Sequence, residues 1–88
     1  MTFRVLLHPK VSKAILELPA AHQKRLTEVL DILQEAPVPF KRFDVKKLKG
    51  QHNRFRIRLG EFRLIYEVDR EEMLVLLLKL EKRGEAYK

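Results

Sequence analysis

The chain has 88 residues, of which 45% are apolar, and its formal charge at pH 7 is +7. This length suffices for one domain with a modest hydrophobic core, so we expect residues 1–88 to fold as a single domain. The absence of cysteine excludes a disulfide scaffold and a cysteine-ligated zinc site. The apolar runs are too short for a membrane span or a secretory signal, so the cytoplasm is the expected compartment.

The N-terminal half predicts one strand followed by two helices. Residues 3–7 form the strand, and Pro9 suits the first turn of the helix that follows. Over residues 10–18, and again from about residue 20 to Glu35, apolar side chains recur at the spacing of a single buried stripe. Pro19 separates the helices by only a few residues, so we expect an αα-hairpin that packs on one face of a sheet. The stripes consist of Val11, Ala14, Ile15 and Leu18, then Leu26, Val29, Leu30 and Leu33.

A proline-containing loop and a short strand lead into the C-terminal half. Pro37 and Pro39 stop the second helix, because proline lacks the backbone donor and restricts the residue before it. We expect a short strand over residues 43–48 and a polar turn over residues 49–53.

The clearest pattern in the chain is a β-hairpin over residues 54–68. Basic and apolar residues alternate from Arg54 to Leu59, which is the period of a strand, and Gly60-Glu61 suits a two-residue turn. Such a turn fixes the register, so one face of the hairpin is apolar and the other is cationic. The predicted cross-strand pairs are Leu59 with Phe62, Arg58 with Arg63, Ile57 with Leu64, and Phe55 with Tyr66.

The last predicted strand, residues 73–80, is almost entirely apolar, which favours an interior position in the sheet. A four-residue loop before it would send Lys79 into the core, whereas one more loop residue turns Lys79 outward. We favour the second register, because a buried unpaired lysine is costly. It places Val75 and Leu77 on the cationic face, where a mixed apolar and charged surface suits a partner chain as well as nucleic acid. The inward residues are then Leu74, Leu76, Leu78 and Leu80.

The net charge is concentrated in one segment. Residues 41–58 hold eight of the 19 basic residues and one of the 12 acidic residues, a local formal charge of +7, while the rest of the chain balances. A field of this kind attracts phosphate polyanions or an acidic protein partner. The alternative is a solvated surface in a protein that uses abundant charge for stability.

Other common kinds of site find little support. The histidines His8, His22 and His52 are scattered, so no metal site is expected. The three glycines are isolated, which argues against a phosphate-binding loop. Ser12 has no histidine near it in sequence that would make it a nucleophile. We therefore expect no metal, no small cofactor and no small-molecule ligand.

Three segments, read together, resemble a known family. They are Lys47-Leu48-Lys49-Gly50, the hairpin from Phe55 to Val68, and Lys82-Arg83 followed by Tyr87. Over its whole length the chain resembles the RelE/ParE superfamily of toxin–antitoxin toxins, and within it the archaeal RelE proteins. The resemblance implies an α+β fold: an N-terminal strand and an αα-hairpin packed on one face of a small, mostly antiparallel β-sheet.

The resemblance also implies a function and its partners. RelE toxins of type II systems are ribosome-dependent endonucleases that cut mRNA in the ribosomal A site and so inhibit translation. A cognate antitoxin holds them inactive, so the implied partners are an acidic, amphipathic antitoxin segment, the ribosome and mRNA, with no membrane. The residues implied to be catalytic are Arg58, Arg63, Arg83 and Tyr87. Together with the basic charge of the chain, the resemblance leads us to expect RNA binding by Arg54, Arg56, Lys46, Lys47, Lys49 and Lys82.

The side-chain chemistry limits these roles. Arginine stays protonated, so neither Arg56 nor Arg58 is a credible general base. Arginines that converge on one phosphate can instead compensate the charge of the transition state. Tyr87 stacks on a base, accepts a proton, or is simply a packed or frayed aromatic residue at the end of the chain.

Two other functions remain open. One is that of the ParE branch, which inhibits DNA gyrase and cuts no RNA; the presence of Arg83 and Tyr87 favours the RelE branch. The other is a non-enzymatic module that uses its charge to hold nucleic acid.

Overall fold

The computed structural model describes residues 2–50 and 52–82, and it shows two helices on one face of a five-stranded sheet. The elements are β1 (Arg4–Leu7), α1 (Pro9–Leu16), α2 (Ala20–Glu35), β2 (Asp44–Lys47), β3 (Arg54–Leu59), β4 (Phe62–Asp69) and β5 (Leu74–Lys82). The strand order is β1-β5-β4-β3-β2, with β1 parallel to β5 and the other pairs antiparallel. The predicted α+β fold is confirmed, as is the interior position of the last strand.

The αα-hairpin begins and turns where the prolines predict. Pro9 occupies the first turn of α1, and the side chain of His8 accepts a hydrogen bond from the backbone N–H of Lys10 at 3.1 Å. Gln23 ties the two helices together, because its Nε2 donates to the carbonyl of Ile15 at 3.0 Å. In the described part of the chain, no helix is long and apolar enough to cross a membrane.

The core lies between the helices and the sheet, and Tyr66 is the largest side chain fully buried in it. Its hydroxyl donates a hydrogen bond of 2.8 Å to the carbonyl of Pro37, in the loop that follows α2. Its ring stacks on that of Phe55 from β3, with 5.7 Å between the centroids. Tyr66 therefore joins the central strand both to its neighbour and to the end of the helical layer. Burial raises the pKa of Tyr66 well above the ordinary range of a tyrosine.

The hairpin register is as predicted. All four predicted pairs are observed between β3 and β4, including Arg58 with Arg63 and Phe55 with Tyr66. Gly60 in the turn has a φ of 59°, a left-handed conformation that glycine adopts at little cost. The inward residues of both strands are buried, apart from a partly exposed Phe62 beside the turn.

The predicted register of the last strand is wrong over its first half. Val75 and Leu77 are fully buried in the core and do not lie on the cationic face. Ile65 pairs with Lys79 but Tyr66 pairs with Leu77, so a β-bulge adds one residue to β5 between these pairs. Beyond the bulge the alternation is reversed: Lys79 is exposed and Leu80 packs against the core. The bulge lets this strand bury Val75 and Leu77 without burying the lysine.

Tyr66→Phe removes the hydroxyl and leaves the Pro37 carbonyl without this partner. We expect the free energy of unfolding at pH 7 to fall by about 1–3 kcal/mol. The difference from wild type should shrink above pH ~10, because an unfolded tyrosine ionises there while the folded protein keeps its phenol protonated. At high pH the wild type thus loses the stability that comes from its protonated Tyr66 hydroxyl. The Tyr66→Phe variant has no such contribution at any pH, so the difference between the two proteins becomes smaller. Urea denaturation at pH 7 and at about pH 10.5 measures both effects.

Phe55→Leu is the matched control, since it alters the ring contact with Tyr66 and leaves the hydroxyl in place. Its loss of stability should be the same at both pH values. A constant difference between wild type and Tyr66→Phe across this range would contradict the assignment.

Candidate nucleic-acid interface

The candidate site is the face of the sheet that points away from the helices, called the outer face below. Successive residues of a strand point to opposite faces, so the buried positions of each strand fix which residues point outward. The interstrand register arranges these outward residues in rows across the sheet. The outer face comprises Arg4 and Leu6 of β1, Asp44 and Lys46 of β2, Arg54, Arg56 and Arg58 of β3, Arg63, Ile65, Glu67 and Asp69 of β4, and Leu74, Leu76, Lys79 and Glu81 of β5.

Two arginines oppose each other in the row nearest the hairpin turn. Arg58 pairs with Arg63, Asp44 follows on the far side of Arg58, and Glu81 follows on the far side of Arg63. The row therefore has acidic residues at its ends and two guanidinium groups in the middle. Like charges directly opposite each other repel by roughly 0.2–1 kcal/mol, and an anion bound by both guanidinium groups would offset that repulsion.

Asp44 contacts both neighbouring arginines of β3. Its Oδ1 lies 3.3 Å from Nη2 of Arg56, and its Oδ2 lies 3.9 Å from Nε of Arg58. The Arg56 side chain is 16% exposed, whereas that of Arg58 is 54% exposed. Arg58 is therefore the more accessible of the two to a ligand from solvent.

Arg54, at the start of β3, has a different carboxylate beside it. Its Nε lies 3.5 Å from Oε2 of Glu67 on β4. Nδ2 of Asn53 donates to the other carboxylate oxygen of Glu67 at 3.1 Å, which fixes the orientation of that carboxylate. Arg54 is thus partly neutralised by a carboxylate of its own.

The outer face is part apolar, although not through the residues that we expected. Ile65 and Leu76 are half-buried there, and Leu6 at the edge is 44% exposed. They occupy the β1 side of the face, while the three arginines of β3 occupy the β2 side. A mixed surface exists as predicted, but Val75 and Leu77 contribute nothing to it.

The predicted site residues fall into four groups, the last of which is Lys49 alone. Arg54, Arg56, Arg58, Arg63 and Lys46 share the outer face. Lys47 and Lys82 lie on the helix side of the sheet, where Lys82 lines a cavity beside α1. Arg83 and Tyr87 lie outside the described residues.

Lys49 belongs to the loop between β2 and β3. With Lys47 and His52 it lines an open concavity of about 510 Å³ at the end of the sheet. This basic concavity is separate from the arginine rows.

Two acidic residues of the outer face were not among the site residues predicted from the sequence. Asp44 and Glu67 determine which arginines already have a carboxylate beside them. A signal for Asp44 was present, since it is the only acidic residue in the basic segment 41–58. Within residues 2–50 and 52–82, no three His, Cys, Asp or Glu side chains are grouped so that they could hold a metal ion.

Comparison with known proteins identifies the family to which the protein belongs. The family model described as "ParE toxin of type II toxin-antitoxin system, parDE" matches residues 5–87. The chain belongs to the RelE/ParE family of type II toxin–antitoxin toxins.

Relatives of this toxin include proteins from archaea. It is 35% identical to RelE1 of Methanocaldococcus jannaschii, over 100% of this chain and 98% of that protein. The crystal structure of the archaeal RelE–RelB complex from Pyrococcus horikoshii matches with a TM-score of 0.87 and 45% identity, over 96% of this chain and 98% of that one. The RelB–RelE complex from Methanococcus jannaschii matches with a TM-score of 0.81 and 25% identity, over 94% and 95% of the two chains.

The geometry of the outer face suits anion binding more than proton transfer. A guanidinium group has N–H donors and no acceptor, so those of Arg56, Arg58 and Arg63 can donate to a phosphate but cannot accept a proton. Strands hold the paired Arg58 and Arg63 in a fixed register, so two positive charges lie opposite each other on the outer face.

Arg58→Ala should weaken the binding of a single-stranded RNA that cannot be cleaved, such as a 2′-O-methyl oligonucleotide. The plot of log affinity against log salt concentration should become shallower by about 0.7, the value for one lost phosphate contact on a single strand. Fluorescence anisotropy at several salt concentrations measures both quantities.

Lys13→Ala is the matched control, because Lys13 is an exposed cation on α1, on the other side of the sheet. This variant should keep the wild-type slope. Equal slopes for the two variants would mean that the toxin holds RNA by its overall charge and not by the outer face.

Proposed function

We propose that this toxin is a ribosome-dependent endoribonuclease that cleaves mRNA in the A site and thereby inhibits translation in the cytoplasm. The observation that carries the proposal is the opposed Arg58–Arg63 pair on a sheet face that the helices leave open. Its support from comparison is the 45% identity with an archaeal RelE over nearly the whole chain.

The reaction has four requirements. The 2′-oxygen of a ribose attacks the adjacent phosphorus in line, the bond from phosphorus to the 5′-oxygen breaks, and a cyclic phosphate and a 5′-hydroxyl result. A base takes the proton of the 2′-hydroxyl, an acid protonates the leaving oxygen, and cations compensate the added charge. Bound mRNA must also be held near the in-line geometry, which a ribosome could impose.

The toxin contributes mainly charge compensation in this proposal. Arg58 and Arg63, joined by Arg83 from the C-terminal segment, bind the scissile phosphate and stabilise its transition-state charge. Tyr87 stacks on a base of the mRNA or accepts the proton of the 2′-hydroxyl. The reaction needs no metal and no small cofactor.

Addition of the toxin to a translation extract should produce A-site cuts in mRNA, and purified mRNA without ribosomes should stay intact. Arg63→Ala and Arg83→Ala should each slow cleavage by about 100-fold, the effect of removing one preorganised charge-stabilising group. Primer extension on the recovered mRNA locates and quantifies the cuts. Lys13→Ala serves again as the control and should cut at the wild-type rate.

The family model's own description names ParE, which favours one rival function. A ParE-type toxin would inhibit supercoiling by DNA gyrase and leave mRNA intact, so a supercoiling assay with the same protein separates the two. If the protein shows neither activity but binds RNA with an affinity that falls steeply as the salt concentration rises, it is instead a nucleic-acid-binding module.

We also propose that a cognate antitoxin covers the outer face with an acidic, amphipathic segment. The Pyrococcus and Methanococcus structures are complexes of RelE with RelB, and the outer face offers apolar contacts at Ile65 and Leu76 beside its arginines. Such a segment would bury the apolar side and neutralise the basic side at once.

Leu76→Glu should weaken antitoxin binding by at least tenfold, because it places a charge in the apolar half of the contact. The Pyrococcus horikoshii RelB is the first antitoxin to test, by calorimetry. Leu16→Glu is the matched control: Leu16 is 78% exposed at the end of α1. If both variants weaken antitoxin binding equally, the antitoxin does not contact the toxin through the apolar side of the outer face.

A further inference from the structure

The three arginines of β3 differ in how closely a carboxylate approaches the positive charge of each. Arg54 has Glu67 beside it at 3.5 Å, and Arg56 has Asp44 at 3.3 Å. Arg58 contacts the same Asp44 through Nε, at the longer distance of 3.9 Å. One carboxylate is therefore shared unequally between two neighbouring arginines.

Burial increases this inequality. The Arg56 side chain is 16% exposed, and its Nε is buried without a hydrogen-bond partner among the residues that the structure describes. The positive charge of Arg56 is therefore balanced through Nη2, the atom that contacts Asp44. Arg58 is 54% exposed and lies directly opposite Arg63.

We propose that Asp44 is a positioning residue that occupies Arg56 and so leaves Arg58 as the arginine of β3 that binds the phosphate. The inference rests on the proposed function in one respect: the phosphate in question is taken to be that of the mRNA substrate. An anion that approaches Arg56 must displace the carboxylate and meets its negative charge. An anion that approaches Arg58 can bind between Arg58 and Arg63 while Asp44 stays in place.

This arrangement gives a single negative residue two effects. Asp44 weakens the overall attraction for phosphate, and it also confines the phosphate to the Arg58–Arg63 pair. Removal of its charge should therefore tighten binding and slow the reaction, because phosphates gain a second, unproductive place beside Arg56. A residue that only sets the net charge would change binding alone.

The test follows the arginine side-chain NMR signals while inorganic phosphate is added. In wild type the Arg58 guanidinium signal should shift and that of Arg56 should stay in place. In Asp44→Asn both should shift, and phosphate affinity should rise by about fivefold, the change expected when a unit charge about 4 Å away is removed in water. An Arg56 signal that responds in wild type as strongly as that of Arg58 would overturn the proposal.

Glu67→Gln is the matched control. It removes one negative charge from the same face of the sheet, but its ion pair is with Arg54. The Arg56 signal should remain insensitive to phosphate in this variant. The same response in both acidic variants would show that Asp44 acts only through its charge.

Cleavage on ribosomes adds a second readout. Asp44→Asn should lower the single-turnover rate by about tenfold, within the roughly 100-fold that a 1 Å misplacement can cost. Glu28→Gln, which removes an exposed negative charge from α2 on the other side of the sheet, should keep the wild-type rate. Equal rates in the two variants would refute the positioning role. If wild type cuts no mRNA, the proposed function fails, while the phosphate titration still decides the role of Asp44.

Discussion

The two-residue turn at Gly60-Glu61 determines which side chains of the sheet meet the helices and which meet solvent. Because side chains alternate along a strand, a slip of one residue in β3 or β4 would exchange the two faces. The core residues Ile57 and Leu64 would then be exposed, and the arginines would be driven against the helices. The large cost of that exchange fixes the register. The same constraint holds Arg58 opposite Arg63, so the stability of the fold maintains a repulsive pair of charges.

Tyr66 and the bulge in β5 show how the rest of the sheet adapts to this register. The tyrosine hydroxyl reaches the loop after α2 and ties it to the central strand. The bulge adds one residue opposite Ile65 and Tyr66, and Lys79 turns outward while Val75, Leu77 and Leu80 turn inward. An antiparallel strand without a bulge could not satisfy both requirements with this sequence.

The hairpin, the two helices and their order along the chain could be predicted because each depends on local pattern: alternation, prolines and helical spacing. The register of β5 could not, since the run from Met73 to Leu80 is apolar at almost every position and reads equally well in either phase. Five predicted site residues share the outer face because strand alternation places them there. The importance of Asp44 depends on contacts between strands, which no periodicity along the chain reveals. The roles of Arg83 and Tyr87 remain predictions from the family resemblance.

The two edges of the sheet are its shortest strands, β1 and β2, with four residues each. Edge strands have unpaired backbone groups that can recruit another chain, and short length with lysine at the edge opposes this. β2 carries Lys46 and Lys47, and β1 is cut short by Pro9, which starts a helix two residues after the strand ends. These features oppose edge-to-edge pairing of the sheet with that of a second molecule. Both edges are thus protected by the strands that form them, while the outer face between them stays open.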